Sequence, residues 1–139
     1  MPCSDIAETI ILRFDGDDRL RSYSLNKRTC GADVGHAELL APYLSGQTAE
    51  QLLTVAPEQI WQQAGQPTGD EEFLVFKHLV AVQEAACVLL GQRRGDTEAA
   101  CTAVSILTDE RGLRFEGLLA VEAVADRIRA CGNCRSCGG

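Results

Sequence analysis

The sequence predicts an α+β fold: a small antiparallel β-sheet, opened by an N-terminal hairpin, packed against several α-helices. Three observations predict it. Residues 8–14 and 19–27 carry the two-residue alternation of strands, with Ile10, Leu12 and Phe14 in phase in the first and Tyr23 and Leu25 in phase in the second. From Ala32 onward the apolar period lengthens to that of a helix. Residues 72–90 are apolar almost all round, the composition of a buried central helix.

Each element has a local cause. Asp15, Gly16, Asp17 and Asp18 form a turn signal between the two strands, which makes them an antiparallel hairpin. Val34, Ala37, Leu40, Ala41 and Leu44 share one stripe of a helix that stops at Ser45 and Gly46, and Pro42 inside it costs a hydrogen bond or a kink. Thr48 and Gln51 match a capping box that opens a short helix through about Val55. Pro57 suits the first position of another short helix that ends before Gly65, and residues 66–70 form a loop. The central helix over 72–90 follows, with Phe73 to Phe76 also compatible with an extended start. Asp96 or Thr97 then caps a helix through Asp109, and Gly112 separates it from a last helix over 114–130 whose core side is Leu118, Leu119, Val121, Ala125 and Ile128. The chain divides into residues 1–95 and a helical extension, 96–139, in the same compact unit.

The totals narrow the function classes. At 139 residues the chain is one domain by length. A hydrophobic fraction of 45% and a charged fraction of 24% belong to an ordinary soluble protein, and a net charge of -7 points away from nucleic acid. There is no apolar run long enough to cross a membrane and no secretory signature in the polar, acidic N-terminus, so the expected location is the cytoplasm. Neither a phosphate loop nor a serine–histidine–acid set is apparent, which points away from an independent enzyme.

Seven cysteines in a chain of this kind indicate metal, cluster or redox chemistry rather than a disulfide framework, since an odd number cannot all pair. Cys30 lies where a strand runs into a helix, a seam whose free N–H groups and dipole favour the thiolate. Cys3 and Asp5 precede the first strand, so hairpin pairing brings Cys3, Asp5 and Cys30 to one end of the sheet, within reach of one metal. Two thiolates, a carboxylate and an imidazole close a tetrahedral zinc site, and the same set holds an iron–sulfur cluster with one labile corner, because a carboxylate is the more exchangeable ligand. Cys131, Cys134 and Cys137 form a terminal CxxCxxC, the spacing with which a loop wraps a [4Fe–4S] cubane whose fourth ligand comes from elsewhere. Cys101 is the natural fourth, on a helix antiparallel to the last one, with Cys3 or Cys87 as weaker choices; zinc is the competing occupant. Cys87, deep in the apolar run, reads as packing, and His36 as an exposed helical residue.

These residues resemble the IscU/NifU family of iron–sulfur cluster assembly scaffolds. Cys3-Ser4-Asp5 is similar to that family's Cys-Gly-Asp before a strand, and Thr29-Cys30-Gly31-Ala32 to its Gly-Cys-Gly-Ser-Ala. Leu44-Ser45-Gly46-Gln47-Thr48 looks like its Gly-Lys-Ser junction at the same distance after the cysteine, and the resemblance covers roughly residues 2 to 92. The family carries a third cysteine at the start of its last long helix. Here that stretch has His78, the candidate for the vacant ligand place, with Lys77 beside it; a rival alignment offers Glu116. The resemblance implies a non-enzymatic scaffold or carrier that binds iron and sulfide as a [2Fe–2S] or [4Fe–4S] cluster, takes sulfur from a cysteine desulfurase and passes the cluster to apo-acceptor proteins. Oligomeric state stays open, a dimer included. An electron-transfer or redox-sensing module built on the C-terminal cysteines, and a zinc-stabilised interaction domain, are the alternatives.

Overall fold

Two β-hairpins, one from each end of the described chain, lie side by side in a single four-stranded sheet, and the helices between them cover one face. The computed structural model describes residues 7–27, 37–91 and 101–120. Strand β1 (Ala7–Asp15) pairs antiparallel with β2 (Leu20–Lys27), and β3 (Cys101–Asp109) pairs antiparallel with β4 (Gly112–Ala120). The hairpins join through an antiparallel β1–β4 ladder, so the strand order is β2-β1-β4-β3.

The first hairpin forms for the reasons its sequence suggests. Ile10, Leu12 and Phe14 are buried on one face of β1, and Tyr23 and Leu25 continue that face in β2. Asp15 closes the turn by accepting from the backbone N–H groups of Asp17 and Arg19 through Oδ1, at 2.9 and 3.1 Å. The helix expected to end at Leu44 is shorter than its apolar stripe. Residues 37–40 form a turn, and α1 (Ala41–Leu44) begins where Pro42 falls in the first turn, a place that needs no N–H donor. Proline therefore sets the start of this helix instead of kinking it.

Helix α2 (Ala49–Thr54) carries the full capping box: Thr48 Oγ1 accepts from Gln51 N at 3.2 Å, and Gln51 Oε1 accepts from Thr48 N at 2.9 Å. Helix α3 (Pro57–Gln63) starts on its proline. Helix α4 (Asp70–Leu89) is helical from its first residue, with Asp70, Glu71 and Glu72 at the positive end of its dipole, so Phe73 to Phe76 are not extended. It crosses the inner face of the sheet and touches all four strands. Gln83 ties it to α2, donating to the carbonyls of Leu52 and Val55 at 3.0 Å each. Between sheet and helices lies one core, including Ile10, Leu12, Leu25 and Phe115 from strands and Leu52 and Leu79 from helices. Each such side chain contributes about 1.5–3 kcal/mol on burial.

The C-terminal third corrects the sequence reading. Residues 101–109 and 112–120 are strands, not the helices expected over 96–109 and 114–130; residues 96–100 and 121–130 lie outside the described set. Asp109 makes the turn, its Oδ1 accepting from Arg111 N at 2.7 Å and Gly112 N at 3.1 Å. Gly112 sits at φ +143° against the end of β1, where a Cβ would meet the Phe14 carbonyl oxygen at 1.9 Å; only glycine fits that junction. Among the described residues, no helix is long and apolar enough to cross a membrane.

Candidate functional site

The ladders bring four chain tracts to one end of the sheet. Glu8 is opposite Lys27 in β2 and Leu119 in β4, Ala7 is opposite Ala120, and Leu119 is opposite Cys101 in β3. The tract with Cys3 and Asp5 therefore enters the sheet beside the point where the tract to Cys30 leaves it. Cys101 starts the outer strand at that same end, and the tract to Cys131, Cys134 and Cys137 departs from Ala120 there. Cys30 is three residues beyond Lys27 and Cys3 four before Ala7, so their tethers are at most about 10 and 14 Å of extended chain. Cys3, Asp5, Cys30, His36, Cys131, Cys134 and Cys137 themselves lie outside the described residues.

Beneath this end of the sheet is a buried polar group. Glu8 occupies the same inward phase of β1 as Ile10 and Leu12 and is fully buried, and Lys77 of α4 reaches it with Nζ 2.6 Å from Oε2. No other described group donates to either Glu8 oxygen. Burial pushes the Glu8 carboxyl above its ordinary value; the Lys77 ammonium pulls it back only in part. The pair clamps the N-terminal end of β1 to the middle of α4.

Cys101 shares this layer and is buried, its Sγ so close over Gly117 that a Cβ there would lie 2.7 Å from the sulfur. Burial pushes its thiol up to about 12, helped by the Glu84 carboxylate, itself nearly buried on α4. A thiol so protonated is a poor ligand unless a metal displaces its proton. The residue projects from a strand edge into the core beneath α4, not from a helix antiparallel to a last helix.

His78 is fully buried over the middle of β2, four residues short of its end at Lys27, or about 13 Å along the strand. Its Nδ1 is 2.9 Å from the Tyr23 hydroxyl, which also accepts from Leu40 N–H at 2.6 Å. Burial, reinforced by Glu38 against the opposing Leu40 hydrogen bond, raises the Tyr23 pKa, so the phenol is neutral and its hydrogen needs an acceptor. Nδ1 and the hydroxyl share one hydrogen bond, whose donor is set by the imidazole tautomer. The contact engages Nδ1, and His78 fastens β2, the turn before α1 and α4 together.

The other candidates are placed as follows. Lys77 is engaged by Glu8. Glu116 points to the sheet face away from α4 and pairs with Arg114 at 3.0 Å. Cys87 is buried in α4, and neither it nor Cys101 is in a disulfide. Among the described residues, no group of three or more histidine, cysteine or acidic side chains is gathered to hold a metal.

Sequence reasoning missed the Glu8–Lys77 pair, although its signal was present. Glu8 continues the apolar phase of Ile10 and Leu12, and Lys77 and Glu84 are seven apart, two turns along one face of an apolar helix. A charge in an apolar phase on one element, answered by the opposite charge on another, marks a buried pair. Comparison of the chain with protein-family models, with curated proteins and with solved structures finds no match.

Proposed function

We propose that the chain is an iron–sulfur cluster assembly scaffold or carrier, which binds iron and sulfide through cysteines at the strand-end of its sheet and passes the cluster to acceptor proteins. The β1–β2 register carries the reading: Glu8 opposite Lys27 makes neighbours of the tracts that bear Cys3 and Asp5 on one side and Cys30 on the other. In support stands the buried Glu8–Lys77 contact, which fixes the end of β1 from below. Cys3 and Cys30 as thiolates hold iron, and Asp5 supplies the exchangeable oxygen ligand that keeps the cluster releasable. The fourth place is open to residues other than His78, whose Nδ1 is engaged by Tyr23. The cluster is cargo, a cysteine desulfurase is its source of sulfur, and cytoplasmic apo-proteins receive it.

The convergence of the Cys101 strand with the tract to the terminal CxxCxxC favours a second reading, a resident redox cluster on Cys131, Cys134, Cys137 and Cys101. The high thiol pKa of Cys101 weighs against it. Anaerobic reconstitution with ferrous iron and sulfide, followed by transfer to an apo-ferredoxin, separates the two. A scaffold yields a cluster that moves to the acceptor, and Asp5→Ala slows that movement about tenfold or more by replacing an exchangeable ligand. A cluster that stays with the chain and shows a reversible redox couple contradicts the scaffold reading, and faster loss from Asp5→Ala contradicts the role given to Asp5.

A further inference from the structure

Four of the chain's 13 basic side chains line a single cavity of about 520 Å³, although the net charge is -7. They come from separate segments: Arg13 from β1, Arg21 from β2, Arg111 from the β3–β4 turn and Arg114 from β4. The cavity opens on the sheet face away from α4, at the end where both hairpins turn. Arg13 is six residues from Ala7, so the cavity is about 20 Å from the end that gathers the cysteine tracts.

Three features go beyond a solvated charged surface. Arg13 and Arg114 are directly opposite each other across the β1–β4 ladder, where like charges destabilise a sheet. A register shift pairs Arg13 with Ser22 and Phe14 with Leu20, leaving Arg21 as the extra residue of a bulge, and this bulge adds its guanidinium to the same lining. Asp109 is the one carboxylate on the lining, and its Oδ1 is spent on the turn, accepting from Arg111 N and Gly112 N. Glu116 offsets Arg114 through a contact that is about a third exposed on each side. Among the described residues, Arg13, Arg21 and Arg111 form no ion pair. Counting lining residues alone, four arginines less one aspartate leave a local charge of +3.

We infer that this cavity is a docking site for an acidic segment of a partner protein. Neighbouring strands are about 4.8 Å apart, so the backbone positions that carry Arg21, Arg13 and Arg114 on β2, β1 and β4 span about 10 Å, more than one phosphate group covers. No loop of free backbone N–H groups forms a phosphate cradle here, because β1 and β4 commit theirs to the ladders. Guanidiniums spaced along a row suit successive carboxylates, each able to take a bidentate pair. Leu107, more than half exposed, lies opposite Arg114 and gives the segment an apolar side to rest on. The chain repels anions at long range through its net charge and attracts them here, so the patch selects where and in which orientation an acidic partner meets it. The site is remote from the cysteine end and independent of the cluster reading.

The test is fluorescence anisotropy of fluorescein-labelled hexaglutamate titrated with the full chain. Binding is expected at about 50 mM salt and should weaken about tenfold or more at about 300 mM. Arg21→Ala and Arg13→Thr should each weaken it about fivefold, and Arg13→Thr should leave the melting temperature unchanged or raised, because it removes a like-charge pair. Arg19→Ala is the control: that guanidinium donates to the Gly46 carbonyl outside the cavity, and binding should not change. Absence of hexaglutamate binding overturns the inference, as does an equal loss in Arg19→Ala. Tight binding of tripolyphosphate without hexaglutamate reassigns the cavity to a small phosphorylated ligand. Self-association that Arg13→Thr abolishes reassigns it to a second copy of the chain.

Discussion

At the scale of single residues, the Glu8–Lys77 contact is the most exacting feature of the fold, because neither side chain reaches water. A buried pair of this kind contributes little over a well-packed apolar pair, but removing one partner strands the other's charge. Lys77→Met should therefore cost about 3–5 kcal/mol at neutral pH, and a Glu8→Leu, Lys77→Met double variant should recover most of it. The pH dependence follows from the raised Glu8 carboxyl. Between its unfolded value of 4.5 and its folded one, the native state holds more protons than the unfolded chain, so stability falls as pH rises through that window. Without the ammonium the folded value rises further and the window extends upward. The deficit of Lys77→Met, measured by urea unfolding, should be largest near pH 7.5 and shrink toward about pH 5; an equal deficit at both would mean that Glu8 is not the group left uncompensated. Cys101 offers a second check. Its thiol, held up at about 12, favours the native state below the ordinary value of 9.0 and loses that contribution as pH rises through 12. Iodoacetamide at about pH 8 should leave it unmodified in the folded chain and alkylate it in urea, as read by mass spectrometry; native-state alkylation contradicts its burial.

At the scale of elements, the two hairpins depend on one junction. Gly112→Ala would drive a Cβ into the Phe14 carbonyl oxygen, and backbone on both sides leaves little room to yield. The expected loss is about 4 kcal/mol or more, seen as a lower urea midpoint; a loss below about 1 kcal/mol would mean that the β1–β4 ladder is not closed as described. This junction also explains what the sequence reveals and what it hides. The first hairpin is legible because Ile10, Leu12 and Phe14 alternate against polar neighbours, and α2 and α3 are legible because Thr48, Gln51 and Pro57 act locally. The second hairpin is not. β3 is an edge strand with only Cys101 buried, and Val104, Ile106 and Leu107 are all exposed, so no buried face imposes a two-residue period. In β4, Gly117 takes an inward position and Leu118 an outward one, which disguises the alternation of Phe115 and Leu119 as a helical stripe. The turn chemistry of Asp109 and Gly112 was the signal that remained.

At the scale of the whole molecule, the sheet has two unlike ends. The strand termini Ala7, Lys27, Cys101 and Ala120 meet at one end beside a buried Glu8–Lys77 pair; the hairpin turns at the other hold the arginine cavity. That Ala7 and Lys27, the outer ends of the first hairpin, come side by side could be read from the sequence, since it needs only one ladder. The arrival of the Cys101 strand and the terminal tract at the same end could not, since it depends on a hairpin with no amphipathic period. The central claim is the proposal that Cys3 and Cys30, with Asp5, form one site for an iron–sulfur cargo. It is tested most directly by the iron, zinc and acid-labile sulfide content of the chain isolated without oxygen, compared with Cys3→Ser, Cys30→Ser and Cys131→Ser. The expected result is matched iron and sulfide that is lost in both Cys3→Ser and Cys30→Ser; stoichiometric zinc without sulfide, or sulfide lost only in Cys131→Ser, would contradict it.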